Sequence, residues 1–135
     1  MIHLENKPNI ANQELISQCI KTIAEDELYG LNSITYIFLS DEELLDINKK
    51  FLNHDYYTDV ITFDLSNKEK ELNGEIYISV DRVKENAVEY EENYKDELHR
   101  VMIHGILHLV GYKDKTKKEE ETIRLKENHY LSLMK

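Results

Sequence analysis

The chain has little cysteine, proline or glycine: one Cys, one Pro and four Gly among 135 residues. Its single Cys19 cannot form a disulfide within the chain, and it shares helical spacing with Leu15, Ile16 and Ile23, so we expect it to pack in a core. With 41% hydrophobic residues, the chain is too apolar to be disordered. Length and composition therefore predict one domain over residues 1–135, with a core that needs no disulfide.

Long apolar runs and basic residues are also scarce. No run approaches the roughly 18 apolar residues of a membrane span, and the opening MIHLENKPNI has no basic segment followed by an apolar stretch, so we expect a cytoplasmic protein without a membrane partner. The 17 Lys and Arg face 27 Asp and Glu, giving a net charge of −10. Because non-specific binding to nucleic acid depends on neutralised phosphates, a nucleic-acid substrate would have to be held by a local basic surface.

Helical and strand patterns alternate along the chain. Asn12 can cap a first helix, and residues 33–39 are rich in β-branched and aromatic residues, as is typical of a strand. Two further strands are predicted at 60–63 and 74–80, where they could pair as neighbours. Further helices are predicted to begin at the capping box Ser40–Glu43, at Asp81, near Lys95 and at the capping box starting with Thr116. We therefore predict an α/β (α+β) fold, a mixed sheet of about four strands covered by helices.

The segment HGILHLVGYKD, residues 104–114, lies in the most apolar part of the chain. His104 and His108 project from the same side of a helix, because residues four apart differ by about 40° around its axis. The surrounding residues are apolar on nearly every side, which predicts a central, buried helix, and buried imidazoles require partners. Gly105 is costly inside a helix, so we expect a strand to approach it closely.

The spacing of this segment predicts a metal site. Gly111 can reverse the chain after the helix and bring Asp114 back towards the histidines. This is the spacing of the metzincin motif HExxHxxGxxH, with Asp114 at the third ligand and Gly105 at the general base. We predict that His104, His108 and Asp114 bind one Zn²⁺ with a fourth position open to water or substrate, although Fe(II), Mn²⁺ or Ni²⁺ also suit such ligands. The remaining histidines lack this spacing and are predicted to be surface or packing residues: His3, His54, His99 and His129.

These residues resemble the YbeY family of bacterial rRNA maturation factors, whose signature is HGxLHLxGYDH. Residues 104–112 match that signature position by position, 58–63 (TDVITF) look like the family's TDVLSF, and 74–79 (GEIYIS) resemble its GDIxIS strand. The resemblance covers about residues 40 to 114. It implies a single-domain, zinc-dependent endoribonuclease specific for single strands, which acts on rRNA or a ribosomal particle during maturation of the small-subunit rRNA 3′ end and ribosome biogenesis.

Two residues depart from the family pattern. Asp114 stands where the family has the last His, and its charge should weaken the metal as a Lewis acid. Leu52 stands where the family has an Arg thought to assist phosphate chemistry. The sequence assigns no catalytic residue: Gly105 cannot act as a base, so the nucleophile is either a metal-bound hydroxide or the RNA 2′-hydroxyl.

Two other functions remain open on the sequence. A metalloprotease or amidase agrees with the spacing but lacks the basic Glu at Gly105, and a non-catalytic ribosome-assembly factor would use zinc only for stability. Two groups near the predicted site could bind RNA, or could simply be surface residues: Lys113, Lys115, Lys117 and Lys118 for phosphates, and Tyr56, Tyr57 and Tyr112 for stacking on bases.

Overall fold

The computed structural model describes residues 1–135 and contains four strands and five helices. In chain order the elements are β1 (Ile2–Glu5), α1 (Gln13–Glu27), β2 (Gly30–Leu39), α2 (Asp41–Leu52), β3 (Val60–Asp64), β4 (Glu71–Ser79), α3 (Val80–Glu89), α4 (Tyr94–Leu109) and α5 (Lys117–Leu133). No helix is long and apolar enough to cross a membrane.

Local sequence explains where several helices begin. In α2 the Ser40 hydroxyl accepts the amide of Glu43 while the Glu43 carboxylate accepts the amide of Ser40, and Thr116 and Glu119 repeat this arrangement at α5. Each pair satisfies two amides that the first helical turn leaves without partners. Both predicted capping boxes are therefore confirmed, and so is the Asn12 cap of α1.

The sheet is mixed, with the strand order β1-β2-β4-β3. β2 is parallel to both β1 and β4, whereas β3 runs antiparallel to β4. The predicted fold class is confirmed, as is the pairing of the two strands after residue 60. The prediction omitted β1, which has only four residues, half-buried and exposed in alternation, at the edge of the sheet.

Helix α4 is the central element of the core. One side of it lies on the sheet, where a Cβ added to Gly105 would be 2.9 Å from Ile76 Cγ2 and 3.3 Å from Thr62 Cγ2. The close approach predicted at this glycine is confirmed, and both contacting side chains come from strands. The buried Tyr36 hydroxyl donates a hydrogen bond of 2.8 Å to the carbonyl of Met102, which ties β2 to the same helix. Cys19 is also buried in this core, as expected.

Candidate metal centre

Two imidazoles and a carboxylate converge beside α4. His104 and His108 lie one turn apart on the helix, with their Nε2 atoms 2.9 Å from each other. Asp114 Oδ2 lies 3.3 Å from each Nε2. All three side chains remain partly accessible, at 20%, 26% and 42% of their surface. The residues singled out in the sequence thus face a common point that solvent can reach.

The turn after α4 returns the chain to the histidines. Gly111 has φ of +103°, a left-handed conformation that favours glycine. Its amide donates to the carbonyl of His108, and the amide of Tyr112 donates to the carbonyl of Leu107. This pair of bonds is a Schellman motif, which satisfies carbonyls that the helix end leaves free. Asp114 follows three residues after Gly111, as predicted from the position of that glycine.

Both histidines use their Nδ1 atoms to contact protein groups away from the point that their Nε2 atoms face. His108 Nδ1 lies 3.0 Å from the carbonyl oxygen of Tyr112, and His104 Nδ1 lies 2.5 Å from Glu127 Oε2. A carbonyl oxygen can only accept, so His108 carries its proton on Nδ1. The same tautomer at His104 leaves two Nε2 lone pairs directed at each other and at the Asp114 carboxylate. Such an arrangement requires a shared proton or a cation between them.

The distances among these atoms fit a small metal ion. The three ligand atoms lie within 4.8 Å of one another. Atoms bound at about 2.0–2.2 Å to a tetrahedral centre are separated by about 3.3–3.6 Å, so the two 3.3 Å spacings to Asp114 fit, and the 2.9 Å between the Nε2 atoms is slightly shorter. His104, His108 and Asp114 are therefore in position to hold a metal ion, and two imidazoles with one carboxylate are a ligand set that suits zinc.

Glu127 on α5 was missed in the sequence, although it supports His104. Its side chain is 6% exposed, and its Oε1 lies 3.4 Å from Arg100 and 3.3 Å from Arg124. Arg100 also donates a 2.7 Å hydrogen bond to Asn128 Oδ1. A signal was available, because Glu127 is the one acidic residue among the buried positions of α5: Ile123, Glu127, Tyr130 and Leu131.

The coupling between Glu127 and His104 shifts both pKa values. Burial alone would lower the pKa of His104, but the hydrogen bond and charge of Glu127, with Asp59 and Asp114, raise it above its usual value. Burial would likewise raise the pKa of Glu127, but the hydrogen bond to His104 and the nearby Arg124 lower it. Without metal, this pair therefore favours an imidazolium beside a carboxylate, and a metal ion must displace that proton.

A cleft of about 590 Å³ opens beside His104 and Asp114. Asp59, immediately before β3, lines it and accepts a 3.2 Å hydrogen bond from Asn86. Burial raises the pKa of Asp59, opposed by the charge of His104. Burial also raises the pKa of the cleft residue Glu97, to about 7, opposed by Arg100. Asp59 lies in the TDVITF segment, where only the family resemblance drew attention to it.

The other residues singled out in the sequence are placed as follows. Of the four lysines, only Lys117 lines the cleft, together with the acidic Glu120 and Glu121. Tyr112 donates to Glu27, Tyr57 donates to Glu42, and Tyr56 stacks on His54, all outside the cleft lining. Leu52 does not line the cleft either. His99 is buried and accepts the amide of Asn12, as expected of a packing residue.

A family model, named relatives and a solved structure are all similar to nearly the whole of this chain. The family model described as "Endoribonuclease YbeY" matches residues 2–135. Proteins named Endoribonuclease YbeY are similar to this chain: one from Cytophaga hutchinsonii is 56% identical over 86% of this chain and 81% of its own length. Another, from Karelsulcia muelleri, is 41% identical over 98% of this chain and 94% of its own length. A solution structure from Thermotoga maritima is similar with a TM-score of 0.71 and 31% identity, covering 99% of this chain and 89% of that one.

Proposed function

The chain belongs to the YbeY family of endoribonucleases, and on that premise we propose that it hydrolyses phosphodiester bonds of single-stranded rRNA with one metal ion held by His104, His108 and Asp114. We propose zinc as the metal and maturation of the small-subunit rRNA 3′ end, during ribosome biogenesis, as the role. The substrate would be rRNA or a ribosomal particle in the cytoplasm. Residues 1–135 would form one metal-hydrolase domain.

One observation carries the proposal: three suitable ligand atoms meet where a cleft reaches the protein surface. Structural zinc sites use four protein ligands, whereas catalytic sites use three and keep one position for water or substrate. Here Asp59, Glu97 and Glu127 also line the cleft, but none has an atom within ion-pair distance of both Nε2 atoms. The site has the composition of an open, catalytic centre.

A bound metal would polarise a phosphoryl oxygen and lower the pKa of its bound water. The protein's own contribution is to orient the ligands. Glu127 holds the ring of His104 through Nδ1, and the carbonyl of Tyr112 holds the ring of His108, so both Nε2 atoms already face the site before metal binds and displaces the proton from His104. Gly105 supplies no base, and its absent side chain instead lets α4 lie on β4.

The test is cleavage of end-labelled small-subunit rRNA precursor, free and assembled into particles, with defined Zn²⁺. We expect the parent protein to cleave and His108→Ala to lose cleavage and stoichiometric metal. His129→Ala is the matched control, because His129 is an exposed histidine on α5 outside the cleft. Equal cleavage by the parent and His108→Ala would contradict the proposal.

Two added measurements on the same proteins, thermal stability and cleavage of peptide or amide substrates, separate the other two functions. If His108→Ala lowers the thermal stability but rRNA is processed as before, zinc has a structural role in an assembly factor. If the parent cleaves peptide or amide substrates in place of RNA, the protein is a protease or amidase, although Gly105 leaves that chemistry without the glutamate base of the metzincin motif.

A further inference from the structure

Three cationic side chains line the metal cleft: Arg100, Lys117 and Arg124. Arg100 is buried and its guanidinium already has protein partners. It lies 3.9 Å from Glu97, 3.4 Å from Glu127 and 2.7 Å from Asn128. A guanidinium in so many contacts stabilises the protein and has little capacity left for a ligand. Besides the metal ion, the cleft therefore offers a substrate anion two cationic side chains, Lys117 and Arg124.

Arg124 differs from Arg100 in its exposure and its partners. Its side chain is 52% exposed, and its one ionic contact is Nη1 with Glu127 Oε1 at 3.3 Å. A guanidinium has five N–H donors, so most of those on Arg124 are available to a ligand. Arg124 is not the sole partner of Glu127, which also contacts the buried Arg100 and the imidazole of His104.

Arg124 is also positioned relative to the metal ligands. It precedes Glu127 by three residues on α5, and Glu127 Oε2 in turn contacts His104 Nδ1. The cleft that Arg124 lines also contains His104 and Asp114. One fixed carboxylate thus links the guanidinium to a metal ligand, which holds the two at a defined separation.

The charge of the cleft makes such a cation necessary. Acidic side chains dominate the lining: Asp59, Glu97, Asp114, Glu120, Glu121 and Glu127. A phosphodiester entering this field is repelled unless cations face it, and a guanidinium fork matches two phosphate oxygens where an ammonium offers only a point charge. Lys117 lies seven residues before Arg124, about 10.5 Å along the helix, and could attract a neighbouring phosphate.

We infer that Arg124 binds the phosphodiester of the RNA substrate and positions it beside His104 and Asp114, a role that rests on the function proposed above. Arg124 contacts the non-bridging phosphate oxygens, both in the bound substrate and as charge develops in the transition state. Arg100 remains a structural partner of Glu127. Lys117 adds long-range attraction without fixing the orientation of the phosphate.

The test compares Arg124→Gln and Arg124→Lys with Lys21→Gln, which removes one positive charge from an exposed position on α1 outside the cleft. Binding of a labelled single-stranded RNA oligonucleotide to the metal-free proteins gives Kd at several salt concentrations. Single-turnover cleavage by the zinc-loaded proteins gives the rate, and a chelator competition gives the zinc affinity of each variant.

We expect Arg124→Gln to raise Kd about tenfold and to reduce the salt dependence by about one phosphate contact. Arg124→Lys should bind RNA nearly as the parent does but cleave about tenfold more slowly, because the bidentate geometry is lost. Zinc affinity should change far less than RNA affinity in either variant, because Glu127 keeps its contacts with Arg100 and His104. Unchanged RNA binding by Arg124→Gln, or a loss of zinc affinity that accounts for its slower cleavage, would overturn the inference.

The outcome also distinguishes this inference from the proposed function. If the parent and Arg124→Gln cleave RNA equally well, the role of Arg124 is refuted but the endoribonuclease function is not. A parent that never cleaves, but binds RNA more tightly than Arg124→Gln, would support the phosphate contact and contradict the endoribonuclease function.

Discussion

The two sides of α4 hold the protein together by different means. On one side Gly105 lies against Ile76 and Thr62, and the contacts there are between apolar atoms. The neighbouring residue His104 faces the opposite environment, a charged cleft in which it meets Glu127 and Asp114. Successive residues on a helix differ by about 100° in direction, so a single step along the chain separates core from site.

This difference indicates how stability and chemistry are divided. The apolar side is held by close packing, so a substitution that removes or adds volume there changes the free energy of unfolding. The cleft side is held by pairing of charges, where the loss of one partner changes the affinity and pKa of the next. Substitutions on the apolar side should therefore affect stability more than metal binding, and substitutions in the cleft should do the reverse.

The largest expected effect is on the apolar side. Ile76→Ala removes a fully buried side chain beneath Gly105 and should lower the free energy of unfolding by about 2–5 kcal/mol, measured by urea titration. Metal stoichiometry of the folded protein should not change. Leu125→Ala is the control, because Leu125 is 70% exposed and should change stability by less than about 0.5 kcal/mol. If Ile76→Ala remains folded but loses its metal, stability and metal binding are not divided between the two sides of α4.

The next effect lies in the cleft. Glu127→Gln keeps the shape of the side chain but removes the charge that orients His104, and it should lower zinc affinity by about 10–100-fold in a chelator competition. Glu121→Gln is the control, an exposed acid of the same cleft without a contact to the histidines. Equal zinc affinities for Glu127→Gln and the parent would show that the Glu127 contact has no part in the site.

The same pair predicts how zinc affinity depends on pH. Glu127 raises the pKa of His104 against the opposing effect of burial, so the imidazole holds its proton to a higher pH than usual. Zinc requires the neutral imidazole, so affinity should rise with pH until His104 has lost its proton and then level off. In Glu127→Gln the pKa of His104 falls, and the plateau should begin at a lower pH. An identical plateau would contradict the coupling.

A smaller effect is expected where the two sides meet. Gly105→Ala places a methyl group 2.9 Å from Ile76 Cγ2, which is stiff and fully buried, so the packing must shift. Overpacking of about 1–3 kcal/mol opposes a gain in helix propensity of about 1 kcal/mol, leaving a net destabilisation of about 1 kcal/mol in urea titrations. A more stable Gly105→Ala would mean that the close approach does not constrain α4.

The smallest effect concerns Glu97. Its pKa is raised from 4.5 to about 7, so the folded state binds a proton that the unfolded state releases, and stability falls as pH rises between those values. Glu97→Gln cannot ionise. Relative to the parent it should gain stability between pH 5 and pH 8 in urea titrations, because only the parent loses a bound proton over that range. A constant difference between the two proteins across this range would contradict the shifted pKa.

The parts that could be predicted from sequence are those fixed locally. His104, His108 and the Schellman turn at Gly111 follow from helical spacing and backbone conformation, so the convergence with Asp114 could be anticipated. The spacing of α5 places Glu127 on its buried face, but Glu127 reaches His104 only because α5 packs on α4, and no local pattern identifies that partner. The edge strand β1 has four residues and pairs through its backbone with β2, so its side chains carried too weak a signal.

The most direct test of the central claim is the structure of the zinc-loaded protein, with the metal located by anomalous scattering at the zinc edge. We predict a single peak about 2.0–2.2 Å from His104 Nε2, His108 Nε2 and an Asp114 oxygen, with solvent as the fourth ligand. A metal bound elsewhere, or a fourth position closed by a protein side chain, would contradict an open catalytic centre at this cleft.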